Sequence, residues 1–384
     1  QRKGLQRELS GINQGMTREL RETKRELLEV KRELLETKRE LLESNRELRQ
    51  DVQGAKEALR QTGEELKQAV GNVARLATDL TRMQTLHTNK LDELEFGDPA
   101  ANLATGDVAP KTQVKTVSTR QGIFTLPINT PDVISNSLLN RGDFQLDLVK
   151  DAISFFRETN RLPARGQGTV VDIGANNGVI SIGLLLDGEF DKAITVEPDP
   201  KNFAYLRRNI YNNQLQEKFF CFNQAASDEA GVLDFELSDR NYGDHRVRSK
   251  NAPGNIPDRM DESTRPVIQV QASTVDQLIN SAAEAFTKDV AIAWVDVQGY
   301  EGYVFRGAAE LFARDIPVVS EIWPYGIRRT GMTPDAFCDV VRRIWSSYWM
   351  REDGKFTRFS TNEFNRVFEK IGFDGEHDDV IFTL

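Results

Sequence analysis

Leucine recurs every seven residues at Leu20, Leu27, Leu34, Leu41 and Leu48, and Thr23, Val30, Thr37 and Ser44 follow the first four by three. A heptad with leucine at a and small or β-branched residues at d predicts a helix that closes its seam against other helices, a coiled coil. Glu19, Glu26 and Glu33 fall at g, with Lys24, Lys31 and Lys38 at the following e positions. Parallel copies of the chain then gain interhelical ion pairs, which fix orientation more than they add stability. Leu28, Leu35 and Leu42 widen the stripe, so the homo-oligomer leans toward a trimer, with tetramer and dimer as the neighbouring states. Beyond Leu48 the register moves by a spacing of eleven to Leu59, Leu66, Val73 and Leu80, partnered by Thr62, Ala69, Leu76 and Met83. That is a four-residue stutter, which locally unwinds a supercoil. Carried to residue 95, the helix is a rod roughly 120 Å long. A solitary charged helix held by i,i+4 pairs accounts for the charges but not for the sustained seam.

The periodicity dissolves in Gly97-Asp98-Pro99, Gly106-Asp107 and Ala109-Pro110, turn chemistry that reads as linker. The expected organisation is a coiled-coil rod over 1–96, a linker over 97–119 and a globular domain over 120–384. In that domain the pattern alternates. Helix is predicted at 146–157, strand at 169–172, helix at 179–186, strand at 193–196, helix at 200–212 and strand at 219–223. Such alternation means an α/β fold around a doubly wound parallel sheet, with the helix at 146–157 covering its ligand pocket. Two strands at 232–237 and 267–272 flank the polar stretch 238–265. A helix over 274–286, strands at 290–296 and 318–321, and a last strand at 380–382 closing one edge complete the reading.

In such a sheet ligands gather beyond the carboxyl ends of the strands. The run Val170-Val171-Asp172-Ile173-Gly174-Ala175-Asn176-Asn177-Gly178 is a strand feeding a glycine turn and a helix, and Ile194-Thr195-Val196-Glu197-Pro198 ends the next strand about 20 residues on. The glycine spacing differs from G-x-G-x-x-G, the pattern that presses a helix N-terminus onto a pyrophosphate. S-adenosylmethionine (SAM) has no phosphate. Its ammonium suits Asp172 and its ribose hydroxyls suit Glu197, so SAM is favoured over NAD, with Gly174, Asn176, Gly178 and Pro198 shaping the site. Other strand ends nominate the Asn223-Gln224-Ala225 loop, with Gln224 and Ala225 edging the adenine, and the carboxylates Asp296 and Glu321.

Charge and rare residues narrow the picture. A net charge of -9 over 384 residues argues against a nucleic-acid backbone as the main partner. Cys221 and Cys338 make neither a disulfide framework nor a zinc spacing, which fits a reducing, cytoplasmic setting. With only His87, His245 and His377, any metal would be a hard divalent cation held by carboxylates. No apolar run reaches the roughly 20 residues of a transmembrane segment.

Four motifs arrive in order: the glycine turn at 170–178, Val196-Glu197-Pro198-Asp199-Pro200, Gln224-Ala225-Ala226-Ser227-Asp228, and Trp294-Val295-Asp296-Val297-Gln298-Gly299-Tyr300-Glu301-Gly302. Together they resemble the FkbM family of SAM-dependent methyltransferases over roughly 120–384. Asn241-Tyr242-Gly243 sits where that family carries an Asn-x-Gly turn over the active site. The resemblance implies a class I, Rossmann-like methyltransferase fold that methylates hydroxyls, often on sugars. It places Asp172 and Gly174 at the methionine end, Glu197 on the ribose and Asp296 near the transferring methyl group. Gln298 departs from the family's usual Glu, and a neutral amide there weakens any divalent-cation site. The rod lies outside the family pattern.

Methyl transfer to a sugar hydroxyl needs its proton removed during attack, and the candidate catalytic bases are Asp296, Glu321 and His245. Asn241, Tyr242 and Arg246 are the candidate acceptor-binding residues. The expected function is a sugar or glycan O-methyltransferase clustered by its rod, acting on a growing polysaccharide beside a partner glycan-assembly enzyme, in the cytoplasm or peripherally at the inner face of the membrane. The alternatives are a coiled-coil scaffold whose domain binds SAM without chemistry, and a nicotinamide-dependent oxidoreductase, which the glycine spacing disfavours.

Overall fold

The computed structural model describes residues 2–96, 113–250, 252–254 and 256–384, and in the first helix the side chains of residues 4, 10, 11 and 14–68. The chain divides into two units, Gln1–His87 and Thr88–Leu384.

The amphipathic repeat forms one unbroken helix, α1 (Arg2–Phe96), which the stutter does not interrupt. At 1.5 Å per residue it is about 140 Å long. Its leucine stripe faces outward: Leu20, Leu27, Leu34 and Leu41 are 64–74% exposed. The d-position threonines are internally satisfied, because Thr23 and Thr37 donate their hydroxyls to the Glu19 and Glu33 carbonyls one turn back. In the second half of the heptad pattern, Ala69, Val73, Leu76, Leu80 and Met83 lie outside the described side chains. Among the described residues, no helix is long and apolar enough to cross a membrane.

Of the stretch expected as linker, 97–112 lie outside the described residues, while its end is strand. β1 (Val114–Thr119) pairs antiparallel with β2 (Gly122–Pro127). Only β2 buries large side chains, Phe124 and Leu126, and the polar β1 gave no periodic signal. The chain continues through α2 (Val133–Asn140), α3 (Leu146–Glu158), β3 (Thr169–Ile173), α4 (Val179–Leu186), β4 (Lys192–Val196), α5 (Pro200–Asn212) and β5 (Phe219–Phe222). Next come β6 (Ala225–Ser227), β7 (Gly231–Glu236), β8 (Arg246–Val247) and β9 (Val267–Thr274). The helix expected over 274–286 is two, α6 (Val275–Ser281) and α7 (Glu284–Thr287), the first opened by a Thr274–Gln277 capping box. β10 (Val290–Val295), α8 (Glu301–Arg306), α9 (Ala309–Phe312), β11 (Val318–Ile322), α10 (Pro324–Arg329), α11 (Pro334–Ile344), β12 (Ser347–Glu352), β13 (Lys355–Ser360), α12 (Asn365–Ile371) and β14 (Asp378–Thr383) follow.

The main sheet has eight strands in the order β13-β12-β14-β11-β10-β3-β4-β5. β11, β10, β3, β4 and β5 are parallel neighbours, whereas β14, β12 and β13 pair antiparallel. The last strand therefore does not close an edge. β14 is inserted between β11 and β12, and the hairpin β12–β13 forms that edge. Arg351, Glu352, Lys355 and Arg358 hide this hairpin from a hydrophobicity reading, as charges on edge strands commonly do. Both faces of the sheet are covered: Val171 and Ile173 of β3 enter one core with Phe305 and Trp345, and Val170 enters the other with Phe156 and Ile182. Burial on both faces is why β3 reads as a continuous apolar run. A separate four-stranded sheet, β6-β9-β7-β8, stands beside the carboxyl ends.

Candidate active site

The turn after β3 is forced into shape by contact with the turn after β10. Gly174 has φ +88°, and a Cβ there would lie 1.8 Å from the Asp296 carbonyl oxygen. The amides of Gly174 and Ala175 both donate to the Val196 carbonyl, which ties the turn to the end of β4. The result is a cavity bounded by the ends of β3, β4 and β10.

Asp172 and Glu197 face it from the ends of β3 and β4. Asp172 is 2% exposed and its Oδ2 has no hydrogen-bond partner. Burial pushes its carboxyl up to about 7; Ser181 nearby, though forming no bond of proper geometry, offsets part of that rise. A buried, unsatisfied carboxylate oxygen costs free energy until a cation meets it, so the donor set fits an ammonium. Glu197 accepts from the Asn176 amide at 2.9 Å and from the Asp199 amide at 2.8 Å, which holds both oxygens in place at the end of β4. Burial pushes it to about 8. Each oxygen keeps a lone pair for a hydroxyl donor, as paired ribose hydroxyls require.

The roof comes from the segment after β7. Asn176 and Asn202 both donate to the Tyr242 carbonyl, while the Tyr242 amide donates to Asp132, the cap of α2. Asn241 accepts from the Gly243 amide and stabilises the short turn. Ala225, Pro198, Tyr242 and His245 line the first cavity, and Asn241 lines a second, adjoining one. Asp296, Gln298, Ile134, Phe144, Gln145 and Gly243 border both.

At this seam the Gln298 Nε2 donates to Asp296 Oδ1 at 2.7 Å and to Glu321 Oε2 at 2.9 Å. The amide occupies the position that a cation bridging these two carboxylates would take. Glu321 is held well above the ordinary carboxylate range by burial and by its neighbours Asp296, Asp379 and Glu301, and burial also raises Asp296. Among the described residues no group of three His, Cys, Asp or Glu is arranged to hold a metal ion.

Several expected residues are placed otherwise. The Gln224 Oε1 accepts from the Ser273 hydroxyl on β9, and the side chain lines neither cavity. Gly178 caps α4, where a Cβ would strike Leu206 and Ile182, so it serves packing and not the ligand. Arg246 is 2% exposed and its guanidinium is consumed by Glu236, Asp244 and Glu262 at 2.8–2.9 Å, which removes it from the acceptor. His245 accepts the Ser238 amide on Nδ1, leaving an N–H on Nε2 toward Asp199. Burial lowers its pKa to about 4, and an imidazole so engaged is a poor base for an acceptor hydroxyl. The helix expected over the pocket, α3, packs in the core; Phe144 and Gln145 just before it line the cavities instead. The amide bridge of Gln298 and the presence of His377 beside Glu321 were not read from sequence, since nothing local links 298 to 321 or 377.

Residues 172–354 match the model of the methyltransferase FkbM domain. No curated protein matches the sequence. Among solved structures the chain is similar to methyltransferase FkbM from Methylobacillus flagellatus KT, at 12% identity and a TM-score of 0.34, over 60% of this chain and 50% of that one. The chain thus spans about half the length of that protein. It is also similar to precorrin-6y C5,15-methyltransferase from Geobacter metallireducens GS-15, at 7% identity and a TM-score of 0.30, covering 62% and 89% of the two chains. The B. subtilis M1A22 tRNA methyltransferase TrmK aligns at 6% identity and a TM-score of 0.30, over 61% and 64%.

Proposed function

Because the chain carries a methyltransferase FkbM domain over residues 172–354, we propose that it is a SAM-dependent O-methyltransferase that acts on a hydroxyl of a sugar or glycan and is oligomerised by α1. The observation that carries the reading is the unsatisfied Asp172 oxygen in a cavity shared with Glu197, adjoining a second cavity where Asp296 and Glu321 meet. Bound S-adenosylmethionine supplies an electrophilic methyl group that needs alignment more than activation. Asp172 holds its ammonium and Glu197 its ribose hydroxyls. Asp296 or Glu321, made more basic than ordinary carboxylates by burial, takes the acceptor's proton. The second cavity presents Asp239, Asp244, Asp261, Asp296 and Glu321 against Arg240, Arg259 and Arg265, a balance that suits an uncharged polyol better than a phosphorylated one.

The test is thermal unfolding with S-adenosylhomocysteine and, in parallel, NAD. Saturation at about 100 times Kd adds roughly 2.7 kcal/mol, a rise in Tm of roughly 5–10 °C; a shift with NAD alone rejects the reading. Asp172→Asn removes a charged partner and weakens S-adenosylhomocysteine by about 10- to 100-fold. Because the ligand ammonium wants the ionised carboxylate, wild-type affinity rises as pH increases through about 7, and the Asn variant loses that dependence.

For the rod, the exposed leucine stripe, the self-satisfied threonines and the g/e charge pattern all suit a second and third copy of the same helix. Leu27→Ser, Leu34→Ser and Leu41→Ser combined should give a monomer by sedimentation equilibrium where the parent is oligomeric. A parent already monomeric ends the coiled-coil proposal. A rod of this length would hold several active sites at a set distance from a glycan-assembly partner on a growing polysaccharide; removing 1–95 then changes product length.

A further inference from the structure

Glu321 differs from Asp296 in its ion-pair contact with a half-exposed histidine. One of its oxygens accepts from Gln298, and the other, Oε1, lies 3.5 Å from Nε2 of His377 on the turn before β14. The Glu321 side chain is 8% exposed and that of His377 is 53% exposed, so the pair spans from the buried seam to the mouth of the second cavity. Asp296, held by the same amide, borders both cavities and, among the described residues, has no such ion-pair partner on the turn before β14.

We propose that His377 is a positioning residue for Glu321 and its proton exit, which makes Glu321 the general base. The assignment rests on the methyltransferase reading of this site. The acceptor O–H breaks, its electron pair forms the O–C bond, and the C–S bond breaks with its electrons kept by sulfur. The released proton passes to Glu321, then to His377, whose half-exposed ring returns it to water. Gln298 fixes the far oxygen of Glu321, so the near oxygen stays aimed at the imidazole. The charged groups that face the ring are Glu321 of β11 and Asp296 at the end of β10, and its neighbours along the chain are Asp374, Glu376, Asp378 and Asp379. Arg259, which pairs with Asp374, shares the cavity. Lys370 pairs with Asp378.

The experiment is a kinetic comparison on the full chain. His377→Asn should reduce kcat about 10-fold or more while the acceptor KM stays within about twofold. Imidazole in the buffer should restore part of the rate to His377→Ala, and Glu321→Gln should cost more than Asp296→Asn. Full turnover in His377→Asn beside an active wild type, or no rescue of His377→Ala by imidazole, overturns this assignment alone. A wild type that transfers no methyl group to any hydroxyl overturns the function reading and this assignment with it.

Discussion

Gly174→Ala should abolish both stable folding and cofactor binding, although it adds one methyl group. The position has φ +88°, where an L side chain is strained by about 1–3 kcal/mol. The larger effect is the collision: the new Cβ would stand 1.8 Å from the Asp296 carbonyl oxygen, a backbone atom at the end of β10 that cannot rotate away. Relief requires separating β3 from β10, whose pairing runs from Thr169/Val290 to Ile173/Val295 in the middle of the sheet. A loss of about 4 kcal/mol or more is expected, at the extreme of single substitutions. Urea unfolding followed by tryptophan fluorescence measures it, and S-adenosylhomocysteine should no longer raise Tm. A variant within about 1 kcal/mol of wild type, with its ligand shift intact, would show that the two turns do not touch as described.

Arg246→Met should be nearly as damaging, for an electrostatic reason. The guanidinium satisfies Glu236, Asp244 and Glu262 and stacks on Trp323 at 4.8 Å. Glu262 also accepts from the Tyr325 hydroxyl at 2.7 Å, and Arg265 binds Asp244. Methionine fills similar space but leaves buried carboxylates short of a cation, and breaking a buried ionic group from one side costs about 3–5 kcal/mol. Arg240→Ala is the contrast. Its pair with Asp261 is exposed, so its removal should change stability by less than about 1 kcal/mol. Equal losses in the two variants would mean that burial does not set the value of these pairs. The same network joins β7, β8, the segment at 258–265 and α10, so Arg246→Met should also loosen the wall of the second cavity and raise the acceptor KM more than it alters S-adenosylhomocysteine binding.

The legible parts of the site were those carried by a strand and its own turn. Asp172, Gly174, Asn176, Glu197, Asp296 and Glu321 are legible because a both-face-buried strand prints as an apolar run whose end and following turn stand at the carboxyl edge. Gln224 occupies the same kind of position but follows β5 into a second sheet, and its amide is taken by Ser273. Arg246 and His245 looked available in a polar stretch; polarity there marks buried pairing and an internal hydrogen bond, which composition cannot distinguish from solvation. The hairpins β1–β2 and β12–β13 escaped for the opposite reason, because strands carrying charged or hydroxyl side chains have no apolar period.

By itself the sequence determined the long helix, the alternation of strands and helices in the parallel core and the glycine positions of the turn after β3, all written in local period and spacing. The tertiary structure alone decided that β14 enters the sheet interior, that Gln298 bridges Asp296 and Glu321, and that His377 stands against Glu321. Apart from the short step from Asp296 to Gln298, those contacts join positions separated by 23 residues or more, or turn on which of several carboxylates a guanidinium reaches first. They depend on backbone packing in three dimensions, and no local period of hydrophobicity or charge encodes them.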